Sequence, residues 1–159
     1  PMEAVAIVSS YTTNQEMLAA AALHDVVEDC ECTLEELRRE FGERVASLVA
    51  SESDNTLVGV DKDNSWRTRK LLAAQRLAAA TYDEKVVAMG DKLSNLRTIA
   101  MDYKIIGDEV WKRFHAPGGK TDIEWRYRLL ADALSDLKPS LAYDEFVGLL
   151  DQIFDAKNE

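Results

Sequence analysis

Between Asn14 and Asp29 the chain reads Asn14-Gln-Glu-Met-Leu-Ala-Ala-Ala-Ala-Leu-His-Asp-Val-Val-Glu-Asp29, and no other stretch restricts the fold so tightly. Met17 through Leu23 carry no polar side chain. A helix that is apolar on every side belongs inside a bundle rather than on its surface. His24, Asp25, Glu28 and Asp29 follow at once. On a continuous helix His24 would stand over Glu28 and Asp25 over Asp29, giving two adjacent polar rows. Carboxylates at the end of a buried helix are costly to desolvate unless they are paired, hydrogen-bonded or bound to a cation. A solvated acidic helix end is one reading and a metal site the other. The apolar run and the adjacent histidine favour the metal site.

The flanking sequence supplies helices to pack around this one. Pro1 suits the first turn of a helix through Met2, Val5, Ala6 and Val8, ending near Tyr11. Thr13 with Glu16 predicts a capping box for the central helix, and Thr33 with Glu36 a second one opening Leu34 to Phe41. Gly42 stands where helices favour a left-handed residue. Val45, Leu48 and Val49 predict another short helix, and Ser51 to Ser65 a long loop. Helix is expected again from Trp66 to about Ala80, and from Glu84 to Met101 behind an Asp83 cap. The latter carries the apolar stripe Val86, Met89, Leu93, Leu96 and Ala100. Asp108 to Phe114, Thr121 to Leu137 and Tyr143 to Ala156 complete the set. With no period-2 alternation long enough for a strand and no internal repeat, the expected fold is an all-α bundle. At 159 residues the expectation is a single domain.

The formal charge of −10 argues against a nucleic-acid-coating surface. It does not argue against a small anionic substrate, because a metal and a few local cations can reverse the field inside one cleft. Cys30 and Cys32 have neither zinc-knuckle nor disulfide-framework spacing, so they are expected as reduced thiols. No apolar run approaches the roughly 18 residues of a membrane span, and no signal-peptide pattern is visible. A cytoplasmic protein with no membrane partner is the expectation, and the oligomeric state is left open.

Asp91, Asn95 and Thr98 form a polar row beside the buried stripe, which puts Asp91 at the edge of the core. A surface pair with Lys92 or Arg97 would satisfy it. Ligation of a divalent ion would do so too, since such ions take imidazole and carboxylate donors from more than one element. Arg67, Arg69 and Lys70 follow the long loop and would either meet phosphates or form a solvated helix face.

His24-Asp25-Val26-Val27-Glu28-Asp29, then Thr33-Leu34-Glu35-Glu36-Leu37 and Phe41-Gly42, then Asp91-Lys92-Leu93-Ser94-Asn95-Leu96-Arg97 together resemble the HD-domain metal phosphohydrolases. Among these they are similar to the hydrolase domain of the RelA/SpoT alarmone enzymes and to the small stand-alone alarmone hydrolases. The resemblance covers Pro1 to Met101 and is weaker beyond. It implies a manganese or other divalent ion held by His24, Asp25 and Asp91, with one more histidine on the helix before them. In the family that histidine commonly stands directly before a proline, and Pro1 matches that proline. The sequence is therefore expected to be cut at its N-terminus and to hold its ion weakly. His115, beside a Pro-Gly-Gly turn, is the other histidine.

The resemblance further implies that Glu28 and Asp29 are the catalytic pair for removing the 3′-pyrophosphate of (p)ppGpp, the alarmone of the stringent response. Asn95 would face the guanosine nucleotide, and Arg67 and Lys70 would contact its phosphates. Arg97 would be a further contact or a structural ion pair. The alternative function is a degenerate or truncated HD domain that binds nucleotide or regulates without catalysis.

Overall fold

The computed structural model describes residues 1–52 and 66–155. Among the described residues the regular structure is helical throughout: α1 (Met2–Ser9), α2 (Gln15–Leu23), α3 (Val26–Asp29), α4 (Leu34–Phe41), α5 (Glu43–Glu52), α6 (Trp66–Ala78), α7 (Tyr82–Ile106), α8 (Lys120–Ala133) and α9 (Leu141–Leu150). A 3₁₀ helix at Gly107–Arg113 stands where a helix over Asp108 to Phe114 is expected, and a 3₁₀ helix at Ser135–Leu137 and a π-helical turn at Asp151–Asp155 replace the ends of the two longer helices expected after it. Two compact units divide the described residues, one made of 1–52 and 80–94, the other of 66–79 and 95–155.

In the first unit α1 packs on α2, α2 on α5 and α5 on α4. Met17, Ala20 and Ala21 are buried and the other side chains of the apolar run in α2 are half-buried, so this helix lines the core with one face rather than running through its middle as its all-apolar sequence suggests. Its cap is Asn14 rather than Thr13: the Asn14 side chain accepts hydrogen bonds from the amides of Glu16 and Met17. Such a cap is worth about 1 kcal/mol. The Thr33–Glu36 capping box forms at the start of α4. Gly42 does take a positive φ of 87°, but with ψ at 166° it is extended rather than left-handed helical, a region open to glycine alone. Ser51 and Glu52 close α5 instead of opening a loop, and the rest of that expected loop lies outside the described residues.

The longest helix, α7, starts earlier and ends later than its sequence pattern suggests. Thr81 and Glu84, not Asp83, form its capping box, while Asp83 pairs with Arg44 at 2.5 Å. Val86, Met89, Leu93 and Leu96 are fully buried, each worth roughly 1.5–3 kcal/mol. Between them Gly90 allows a close approach to α1: a Cβ there would lie 2.7 Å from Val8 Cγ2 and 2.9 Å from the Ala4 carbonyl oxygen. Ser94 donates to Glu3 at 3.0 Å and fastens the same two helices one turn further on.

In the second unit α6 packs on α8 and α8 on α9. Buried Asp122 joins the first pair, accepting from the Gly118 amide at 2.7 Å and from Arg67 Nε at 2.6 Å. The Arg67 guanidinium also lies over the Trp125 ring, 5.1 Å from its centroid. Arg97 of α7 grips Glu145 of α9 through two hydrogen bonds of 2.7 and 2.6 Å.

Candidate metal centre

The apolar run of α2 stops at Leu23, and His24 and Asp25 form a turn before α3 begins. The continuous helix expected through Asp29 is therefore broken at the histidine. Asp25 serves as the N-cap residue of α3, its carbonyl accepting from the amides of Glu28 at 3.0 Å and Asp29 at 2.8 Å. Asp91 arrives from α7, set by the close α1–α7 contact at its neighbour Gly90.

These three side chains converge. His24 Nε2 lies 2.9 Å from Asp25 Oδ2 and 3.3 Å from Asp91 Oδ1, and one donor atom from each residue falls within 4.8 Å of the others. His24 and Asp91 are buried, whereas the Asp25 carboxylate is about half exposed. Among the described residues no other group of three or more His, Cys, Asp or Glu side chains is so disposed. His115 belongs to the second unit.

The donor set fits a divalent cation. His24 Nδ1 bonds the Ala21 carbonyl at 2.9 Å, which makes Nδ1 the donor and leaves Nε2 with a lone pair in the neutral ring. That lone pair meets two carboxylate oxygens, so three acceptors share one small volume and need a positive charge among them. Protonation of His24 is the alternative to a bound ion as the source of that charge. The hydrogen bond to Asp91 raises the His24 pKa above the ordinary 6.5 despite burial, aided by the Ala21 carbonyl. Asp25 approaches closer than Asp91, but its exposure screens its charge, so buried Asp91 has the larger effect. The Asp25 carboxyl is itself pushed upward, chiefly by desolvation. One imidazole nitrogen and two carboxylate oxygens from separate elements suit the harder divalent ions.

Behind Asp91 stands a second, buried layer. Lys92 Nζ lies 2.5 Å from Asp91 Oδ2 and 3.1 Å from Glu52 Oε2. The Lys92 side chain is 17% exposed and that of Glu52 6%, so neither charge is well hydrated. Burial alone would raise Asp91, but Lys92 and His24 hold it well below the usual carboxylate range. Burial would likewise lower Lys92, but Glu52 and Asp91 keep it far above the usual lysine range. Glu52 is shifted upward by desolvation. The sequence offered Lys92 as one possible partner of Asp91, and that pair exists; Glu52, forty positions away, carried no signal.

The remaining site candidates are placed as follows. Glu28 and Asp29 are exposed on α3, directly beyond the Asp25 carbonyl that accepts from their amides. Asn95 is exposed one turn past Asp91 on α7. Arg97 is engaged by Glu145 and Arg67 by Asp122, so the salt-bridge reading of Arg97 describes its contacts and the Arg67 side chain joins α6 to α8. Lys70 is half-buried on α6, and Arg69 beside it is exposed.

Comparison with known proteins adds four findings. A family model described as HD domain matches residues 1–114. Over 95 residues the chain is 34% identical to the guanosine-3′,5′-bis(diphosphate) 3′-pyrophosphohydrolase MESH1 of Drosophila melanogaster, an alignment covering 60% of this chain and 50% of that protein. The chain thus spans about half the length of the relative it matches. Among solved structures, lmo0812 from Listeria monocytogenes superposes with a TM-score of 0.80 at 29% identity, covering 98% of this chain and 93% of that one. A metazoan ortholog of SpoT that hydrolyses ppGpp superposes at 0.64 and 23% identity over 94% of this chain and 76% of that one, a likeness of fold.

Proposed function

Because this chain belongs to the HD-domain family, we propose that it is a metal-dependent phosphohydrolase that removes the 3′-pyrophosphate from (p)ppGpp. The observation that carries this reading is the convergence of His24 Nε2, Asp25 Oδ2 and Asp91 Oδ1 on one small volume at the end of an apolar helix. His24, Asp25 and Asp91 would hold the ion, and manganese is the member of the divalent class proposed. When bound, such an ion lowers the pKa of a coordinated water toward neutrality and polarises a phosphoryl oxygen.

The protein's own groups do the rest. The Ala21 carbonyl fixes the His24 tautomer so that Nε2 keeps its lone pair for the ion. Glu28 and Asp29, exposed just beyond Asp25, are proposed to take the proton of the attacking water and return it to the ribose 3′ oxygen. The water oxygen bonds to the phosphorus attached to the ribose, the bond from that phosphorus to the 3′ oxygen breaks, and pyrophosphate leaves. Asn95, one turn from Asp91 on the same helix, is proposed as the nucleotide contact. Arg67 and Arg97 are assigned to their ion pairs with Asp122 and Glu145 rather than to phosphate.

The test is product analysis with ppGpp and manganese, resolving pyrophosphate and GDP from inorganic phosphate. Pyrophosphate released by the wild type and abolished in His24→Ala supports the reading. Manganese and ppGpp bound without turnover would make the chain a non-catalytic nucleotide-binding module.

A further inference from the structure

The Lys92–Glu52 pair is not needed to close the core, because burying two charges side by side rarely stabilises a protein relative to apolar residues of similar size. Its position is specific. Lys92 occupies Asp91 Oδ2, which leaves Oδ1 as the oxygen turned toward His24. Glu52 reaches Lys92 from the far end of α5 and offsets the ammonium next to the ligand cluster. We propose that Lys92 and Glu52 set the charge of the metal centre, holding it at two negative units to suit a divalent cation.

The count is short. With His24 neutral, the ligands and the buried pair carry three negative charges, on Asp25, Asp91 and Glu52, and one positive, on Lys92, leaving two; exposed Asp29, which also acts on Asp25, is common to every variant. Without Lys92 three remain, which favours a more highly charged ion. Without Glu52 one remains, and the uncompensated ammonium repels any cation. Charges this close and this poorly hydrated interact strongly enough to change an ion's affinity by about tenfold or more. The inference rests on the cluster being the metal centre proposed above, and the experiment separates the two.

Manganese(II) and terbium(III) affinities are measured at pH 8 by calorimetry and terbium luminescence. The proteins are the wild type, His24→Ala, Glu52→Gln, Lys92→Met and the Lys92→Met/Glu52→Gln double variant, with circular dichroism and melting recorded for each without metal. Glu52→Gln should weaken manganese by about tenfold or more, and Lys92→Met should tighten it. The double variant, back at two negative charges, should return to within about threefold of the wild type. Terbium(III) should gain more than manganese(II) in Lys92→Met, because the Coulomb term scales with the charge of the ion. A purely structural pair would weaken binding in both single variants with no recovery in the double, and that result overturns the inference, as does unchanged affinity in both. If Lys92→Met does not fold, the double variant is compared with Glu52→Gln. It must bind manganese about tenfold more tightly, and equal affinities overturn the inference. His24→Ala binding manganese as the wild type does would instead remove the metal-centre reading itself.

Discussion

Gly90→Ala is the substitution that most directly links the helical packing to the site. The added methyl would sit 2.7 Å from Val8 Cγ2 and 2.9 Å from the Ala4 carbonyl oxygen. The first neighbour is the short side chain of a buried valine and the second is backbone, so neither yields without moving α1. Overpacking of this kind costs about 1–3 kcal/mol. Against it stands the preference of a helix interior for alanine over glycine, about 1 kcal/mol. Because one of the two contacts is with backbone, the upper part of that overpacking range, about 2–3 kcal/mol, applies; the net expectation is a loss of about 1–2 kcal/mol, or a fall in Tm of roughly 2–8 °C for a chain of this size. Because Asp91 is the next residue, the displacement should also carry its carboxylate away from His24. Manganese affinity should fall by about tenfold, within the range seen when groups supporting metal ligands are disturbed. Thermal melting without metal and calorimetric titration with manganese read the two effects separately. A Tm at or above the wild type with undiminished affinity would refute the close-approach argument, since helix propensity would then be the larger effect.

Glu28→Gln should leave manganese affinity unchanged and lower turnover by roughly 10²–10⁴, as loss of a general base does; equal loss of the metal would instead make Glu28 a ligand. The raised His24 pKa gives a defined pH response. An ion requires the neutral ring, so manganese affinity should fall by up to about tenfold per unit as pH drops below that raised value, with matching proton release in calorimetry. In metal-free protein the sign reverses: the stability contributed by protonated His24 is fully present below 6.5 and is lost as pH rises through the raised value, which melting across pH 6–9 would follow. Thr81→Ala should lower Tm by roughly 2–4 °C, the effect of losing about 1 kcal/mol of capping, without altering metal affinity. Arg67→Met should destabilise the protein by leaving buried Asp122 without its cation while leaving KM for ppGpp unchanged, and a raised KM with unaltered melting would return Arg67 to the substrate.

What could be read in advance divides along the range of the interactions. The stripe of α7 is a local periodicity, and its members are all buried. Thr33 and Glu36 are likewise a local signature, and they form the box they suggest. The Thr81–Glu84 box carries the same signature and was obscured by Asp83, a residue type equally at home in a cap but committed here to Arg44. The break at His24 had no glycine or proline to announce it; an Ala-rich run favours continuing the helix, and tertiary placement of the histidine and aspartate overrides that preference. At the site, the residue types and the motif brought His24, Asp25 and Asp91 forward together. Lys92 was visible only as a neighbour in sequence. Glu52 and Gly90 owe their importance to what approaches them from distant segments, Lys92 in one case and α1 in the other, and pattern within a window cannot show that.

The break in the helix at His24 has a consequence for the field at the site. Every peptide unit of α2 points its carbonyl toward the residue where the helix stops, so the end beside His24 carries a partial negative charge near half a unit. Had α2 run on through Asp29, that end would lie more than a full turn further along, away from His24 and among Glu28 and Asp29. Stopping at Leu23 turns the backbone of α2 into an additional donor of negative potential at the histidine. It also leaves Glu28 and Asp29 on the separate short turn of α3. A single interruption thus points the negative end of α2 at the proposed ion site, with no further side chain required.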